Sequence, residues 1–272
     1  MVRLIVRLCL LSTLVLAGAG GAALRAGAVQ APSAASADQR IQLLRQAAER
    51  QDARAQYDLG LAYATGDAVA QDFAQAAAWW LKAAVEGHPQ AQNDLGVLYE
   101  RGNGVPQDSS AAVMWWRKAA EQGLAESENH LGVMYDNGLG VGADLGLAFQ
   151  WFRKAADQGH APAQNNLGLM YEIGRGVSLD YVEALKWYRQ SAEQGWPAAM
   201  VNLGLMYVGA NSVPHDLVEA DKWFQIATLR ASGDDVSKYD AIRESIEGKM
   251  PVADIIDARQ RAREWLRAFG RR

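Results

Sequence analysis

The sequence predicts an all-α fold, a solenoid of stacked helix pairs, and three observations predict it. First, a 36-residue unit recurs in phase, with Leu-Gly at Leu59-Gly60, Leu95-Gly96, Leu131-Gly132, Leu167-Gly168 and Leu203-Gly204. Second, an aromatic pair led by tryptophan stands at Trp79-Trp80, Trp115-Trp116, Trp151-Phe152, Trp187-Tyr188 and Trp223-Phe224. Third, no insertion interrupts the phase between the first and last tryptophan. Self-similarity at such a period marks a helical repeat array.

The copy from Ala163 to Gly195 shows how one unit is built. Ala163, Leu167, Met170 and Tyr171 recur at helical spacing, which predicts a first amphipathic helix of about a dozen residues. Gly174 lies just past its end, where a left-handed residue closes a helix, and Gly66, Gly102 and Gly138 match it. A short loop then carries Val177 or its equivalents Val69, Val105, Val141 and Val213. Asp72, Asp108, Asp144, Asp180 and Asp216 follow, each placed to accept the free amide protons of a second helix. Glu183 and Glu219, three residues on, predict a capping box. The second helix stops at Gly87, Gly123, Gly159 or Gly195, and Pro89, Pro162 and Pro197 block its continuation. The glycine inside each first helix costs roughly 1 kcal/mol against alanine. Close approach to Ala76, Ala112, Ala148, Ala184 and Ala220 of the second helix is its expected reason. A lone helix pair would leave tryptophan, leucine and tyrosine wet, so neighbouring pairs must stack.

The pattern A-x-x-x-L-G-x-x-Y-x-x-G-x-G-V, then Asp, then A-x-x-W-aromatic-x-K-A-A-x-x-G, resembles the Sel1-like repeat, a relative of the tetratricopeptide repeat. The match runs from Asp52 to about Ala231. The resemblance implies a right-handed α-solenoid of helix-turn-helix repeats with helical caps, acting as an adaptor or scaffold. Cysteine-rich secreted members are associated with penicillin binding, but no repeat here carries a cysteine.

Taken in order, residues 1–37 read as a signal peptide and leader. Arg3 and Arg7 precede an apolar run from Leu8 to Leu16, and small-residue sites follow at Ala26-Gly27-Ala28 and Ala35-Ser36-Ala37. The run is short for a membrane span, so a cleaved leader is expected and an uncleaved anchor is the rival. Either way the repeats lie outside the cytoplasm, in the periplasm or secreted. Residues 38–51 align with a second helix and read as a capping half-repeat, with Leu43-Leu44 in place of the aromatics. Five repeats occupy 52–231. The fifth departs from pattern, with Ala210 in place of the closing glycine and Asn211-Ser212 in the loop. Residues 232–272 predict two capping helices split near Met250-Pro251. The last places Ile255, Ala258, Ala262, Trp265 and Leu266 on one face and an arginine-rich row, ending in Arg271 and Arg272, on the other.

Composition and motifs narrow the function. Beyond residue 37 there are 24 basic against 31 acidic residues, a net charge of −7, which disfavours nucleic acid or anionic lipid. The single cysteine, Cys9, lies in the leader, so the array depends on its core. No phosphate loop, nucleophile elbow, zinc-protease, C-x-x-C or dinucleotide motif is present, so no catalytic residue, metal ligand or cofactor is assigned. Asp136-Asn137-Gly138 lacks the further oxygen ligands of a calcium loop. His88 and His160 stand two repeats apart, and His130 replaces an Asp or Asn of the repeat.

In tetratricopeptide-like stacks the first helices line the concave surface. Their outward positions form three rows: Tyr57, Asn93, Asn129, Asn165 and Val201; Leu61, Val97, Val133, Leu169 and Leu205; Ala64, Glu100, Asp136, Glu172 and Val208. Asparagines at one repeat position each offer a donor and an acceptor to an extended backbone. The expectation is a groove for an extended peptide or a partner's basic tail, lined by Tyr57, Asn93, Val97, Glu100, Asn129, Val133, Asp136, Asn165, Leu169 and Glu172. The chain is thus expected to be a monomeric, exported scaffold for an envelope protein, touching a membrane only if the leader stays uncleaved. The alternative is a cell-wall-directed enzyme or penicillin-binding hydrolase.

Overall fold

Helices account for nearly all of the structure, a computed structural model that describes residues 34–209 and 214–270, with side chains from Ala37 onward. Residues 1–33, residues 210–213, on which the expected departure of the fifth repeat falls, and Arg271 and Arg272 lie outside the described residues. Thirteen helices and no strand occur among the described residues. They are α1 (Ala34–Glu49), then first and second helices alternating as α2 (Ala53–Thr65), α3 (Phe73–Val85), α4 (Pro89–Arg101), α5 (Ser109–Glu121), α6 (Ala125–Asn137), α7 (Leu145–Asp157), α8 (Ala161–Ile173), α9 (Tyr181–Glu193), α10 (Pro197–Gly209) and α11 (Leu217–Arg230). Two more, α12 (Asp235–Glu247) and α13 (Val252–Phe269), complete the chain. Helix α1 begins at Ala34, four residues before the expected cap.

Contacts divide the chain into a unit ending at Trp151 and a unit beginning at Phe152. In the first unit α1 to α6 pack each on the next. In the second, α8 pairs with α9, α10 with α11, and both α12 and α13 lie on α11.

The caps follow the sequence. Gly66, Gly102, Gly138 and Gly174 take φ of 74°, 70°, 69° and 66°, a conformation that favours a residue without Cβ. The Asp72 carboxylate accepts from the amides of Ala74 and Gln75, and Asp108 and Asp180 repeat that geometry. The capping box does not form. The Asp180 amide donates instead to the Tyr171 carbonyl at 2.9 Å, and the Asp216 amide to the Tyr207 carbonyl at 3.0 Å. Glu183 and Glu219 turn away and accept from Trp187 Nε1 and Trp223 Nε1, each at 3.0 Å. The loop's own backbone has already taken the donor that a capping box needs.

The mid-helix glycines also have a different reason from the expected one. A Cβ on Gly96 would lie 2.6 Å from Trp116 Nε1, on Gly168 2.8 Å from Tyr188 Cδ1, and on Gly204 2.7 Å from Phe224 Cε1. Gly60 meets Trp80 in the same way. Each glycine is the seat for the second aromatic of its own repeat, not principally for an alanine. The alanines are buried as well, with Ala76, Ala112, Ala184 and Ala220 fully inside. In the first unit the seat is locked by a hydrogen bond from the indole to the first helix. Trp80 Nε1 donates to the Tyr57 carbonyl and Trp116 Nε1 to the Asn93 carbonyl, both at 3.1 Å.

Candidate functional site

The residues expected to line the groove fall into two groups, those turned into the stack and those left open. Asn93 and Asn129, at 2% and 1% exposure, are buried, and so are Val133, Asp136 and Glu172. Asn165, Val97, Leu169, Glu100 and Tyr57 are half-buried. The expectation that the asparagine row faces outward is therefore corrected for its first two members. A first helix is flanked by the next first helix as well as by its own partner, so the position opposite the core stripe points sideways, into the neighbouring repeat.

Hydrogen bonds hold three of these side chains, Asn93, Asn165 and Glu172. Asn93 Oδ1 accepts from Ser127 Oγ at 2.8 Å, joining α4 to α6. Asn165 Oδ1 accepts from Asn202 Nδ2 at 2.9 Å, joining α8 to α10. Glu172 Oε2 accepts from Tyr188 Oη at 2.8 Å. A second set was not foreseen. Gln56, Gln92 and Gln164 donate to the carbonyls of Ala48, Ala84 and Ala156 of the preceding second helix, at 2.9 to 3.2 Å. Gln122 then donates to Gln92 and Gln194 to Gln164, each at 2.8 Å. The recurrence of glutamine at 36-residue spacing was the available signal.

An open strip remains on the first helices of each unit. In the first unit Leu61, at 40% exposure, stands one turn after Asp58, and Val97 one turn after Asp94. In the second unit Leu169, Ile173 and Leu205 take the strip, and the acids are replaced by Asn166 and Asn202. The first unit is thus acidic where the second is neutral.

Around Asp94 the acidic strip becomes a small polar network. Tyr57 Oη donates to Asp94 Oδ2 at 3.2 Å, and Asn93 Nδ2 donates to Asp94 Oδ1 at 3.1 Å. The Tyr57 ring stacks on His88 at 4.6 Å. His88 Nδ1 caps α4 by accepting from the Ala91 amide at 3.3 Å. On α6 the buried His130 ring stacks on Trp116 at 4.5 Å. Burial, with Glu126 adding like-charge repulsion, pushes the Asp94 carboxyl up to about 6. Burial and the neighbouring Arg54 lower the His88 imidazole. Burial, with Asp94 adding to it, raises the Tyr57 phenol.

Chemically this is a surface that accepts hydrogen bonds and positive charge. No group of three His, Cys, Asp or Glu side chains among the described residues is arranged to hold a metal ion. No described helix is long and apolar enough to cross a membrane.

The Sel1 repeat model matches five consecutive segments, 53–88, 89–124, 125–160, 161–196 and 197–231. A Sel1 repeat protein from Oxalobacter formigenes aligns at 30% identity over 85% of this chain and 94% of its own, with a TM-score of 0.68. A sel1 repeat protein from Klebsiella pneumoniae aligns at 24% identity over 76% of this chain and 99% of its own, with a TM-score of 0.49. An immunity protein from Pseudomonas aeruginosa aligns at 23% identity over 79% and 83%, with a TM-score of 0.44. No curated protein matches in sequence. The in-phase period, the glycine seats under Trp80, Trp116, Tyr188 and Phe224 and the five matched segments together make this chain a member of the Sel1 repeat family, whose proteins generally serve as scaffolds for protein–protein interaction.

Proposed function

We propose that the chain is an exported scaffold that holds an envelope protein on the open strip of its first helices. The observation that carries this reading is the strip itself. Leu61 and Ile173 keep 40% and 36% exposure on helices whose core leucines, Leu59 and Leu167, are fully buried. Side chains that bind neighbouring repeats are already engaged, so the strip is the part of these helices left for a partner. Export rests on the leader: a positive start, a short apolar run and two small-residue sites. Helix α1 beginning at Ala34 favours the Ala26-Gly27-Ala28 site, because cleavage after Ala37 would remove its first turn. Mass spectrometry of the envelope fraction is expected to find a mature chain starting at Val29. A full-length chain confined to the cytoplasm would overturn export.

The partner is sought by affinity capture from envelope extract, beside a variant carrying Leu61→Arg and Ile173→Arg. Both positions are exposed, so the variant keeps its fold, whereas arginine at the buried Asn93 or Asn129 would break the stack. The expected result is a protein retained by the native chain and lost by the variant. Equal retention by both would remove the strip from the interface.

A further inference from the structure

We propose that Asp94 is the receptor for one lysine side chain of the partner, which fixes the partner's register on the first unit. The inference rests on the scaffold reading and names the chemistry of its contact. Asp94 belongs to a repeat position occupied by Asp58, Asp94, His130, Asn166 and Asn202. Of the two acids in that row, Asp58 has its cation: Arg54 Nε lies 3.2 Å from both of its carboxylate oxygens. Asp94 has none. Its two hydrogen bonds come from the neutral Tyr57 and Asn93, and the charged group whose field reaches it is another acid, Glu126 of α6. Drawing carboxylates out of water without a countercharge is costly, and a bound cation removes that cost.

A second observation comes from the next helix. His130 is 1% exposed, and neither Nδ1 nor Nε2 has a hydrogen-bond partner. Its Nε2 points toward Glu126 Oε1 at 3.9 Å, too far for a hydrogen bond. Stacking on Trp116 holds the ring in place. Asp94 on α4 and Glu126 on α6 therefore place negative charge beside the open strip, while the His130 nitrogens, which solvent does not reach, stay inside the stack. The remaining titratable or charged groups there are Arg54 and Asp58 of α2, bonded to each other, and His88, whose Nδ1 is taken by the Ala91 amide.

The arrangement selects an ammonium over a guanidinium. Arginine prefers both oxygens of one carboxylate, in a planar fork. Tyr57 and Asn93 crowd both oxygens of the half-buried Asp94, so a compact ammonium, which needs one remaining lone pair, meets it more readily than a planar fork, which needs both oxygens open in one plane. Val97, one turn on from Asp94, and Leu61 offer apolar surface for the lysine stem. Because the equivalent positions in the second unit are asparagines, the receptor occurs once along the array.

The test is calorimetric titration of the full chain with an end-blocked octapeptide of alternating alanine and lysine, at pH 7.5. Binding is expected, with affinity at least tenfold lower in Asp94→Asn and less than twofold changed in Glu193→Gln, which removes an exposed charge from α9. The arginine version of the peptide is expected to bind at least fivefold more weakly. Affinity for lysine is also expected to fall at pH 5, where Asp94 is protonated. Thermal unfolding of Asp94→Asn at pH 7.5 should be unchanged or higher, which separates lost binding from lost fold. No binding of the lysine peptide, equal loss in the two variants, or equal affinity for arginine would each overturn the proposal. If the envelope partner is retained by Asp94→Asn, the lysine receptor falls and the scaffold stands. If the native chain captures no partner, the scaffold reading falls, and the peptide titration still decides Asp94.

Discussion

Gly96 and Asp221 show what single residues contribute. Replacing Gly96 by alanine places a methyl group 2.6 Å from Trp116 Nε1 and pushes the indole off the Asn93 carbonyl it donates to. Overpacking of this kind costs about 1–3 kcal/mol, so Gly96→Ala is expected to lower Tm by about 3–10 °C by differential scanning calorimetry. Helix propensity alone would make the same change stabilising by about 1 kcal/mol, so the sign of the shift decides between them. The glycine positions were legible in the sequence but their purpose was not. A 36-residue period shows that glycine and a second aromatic recur together, yet not which way the ring turns. Asp221 was not legible at all. It sits on α11, fully buried, with Oδ2 accepting from Gln225 at 2.7 Å and Oδ1 without a hydrogen bond. Burial pushes it up to about 6, with Glu247 repelling it and Arg243 and Arg259 only partly compensating. An acid whose folded pKa is raised binds more protons folded than unfolded between about pH 4 and 6, so its stability contribution falls as pH rises through that window. Asp221→Asn is expected to stabilise the chain by on the order of 2 kcal/mol at pH 7.5 and by almost nothing at pH 4. Urea unfolding at the two pH values checks this, and an equal gain at both would show that charge is not the cause.

At the scale of the element, the second helices start where their aspartates say they start. The Asp108 carboxylate accepts from the amides of Ser110 and Ala111 at 2.9 and 3.0 Å, so Asp108→Ala is expected to cost about 1 kcal/mol and about 2–4 °C in Tm. The effect should be local, with faster amide exchange at the start of α5 and little change in α9. Caps were readable because they depend on residues within four positions of one another. The capping box and the asparagine row were misread for the opposite reason, since both depend on groups supplied from outside the helix. The Asp180 amide is taken by Tyr171, nine residues back, and Asn93 is covered by Ser127, thirty-four residues on. Helical periodicity describes one cylinder and is silent about a second neighbour. The pairing of Arg117 with Tyr135 at 2.8 Å, and of Arg189 with Tyr207 at 2.6 Å, was hidden in the same way.

For the whole molecule, an array without disulfides depends on neighbours to cover each repeat, and the last repeat needs a neighbour of its own. In the second unit α12 and α13 supply it. Trp265 meets Trp223 edge-on at 5.7 Å and stacks on Phe269 at 4.7 Å. Arg230 lies over the Phe269 ring at 4.4 Å while its Nε donates to the Gly195 carbonyl at 3.0 Å, so the last helix is tied to the turn before α10. A chain ending at Ala231 would strip Trp223 of that cover and free Arg230 from its ring. Burying an aromatic side chain of this size is worth about 1.5–3 kcal/mol, and a repeat stack loses stability mainly from its open end. The truncated chain is therefore expected to unfold at least about 5 °C lower, to bind a hydrophobic dye, and to lose amide protection first in α11 and α10. Reductant should change the Tm of neither chain, because the sequence has a single cysteine, Cys9, and it lies outside the repeats. If the truncated chain instead keeps its Tm and leaves the dye unbound, α12 and α13 are not a stabilising cap. Their exposed Val252 and Ile256 would then be the surface to probe for a second partner.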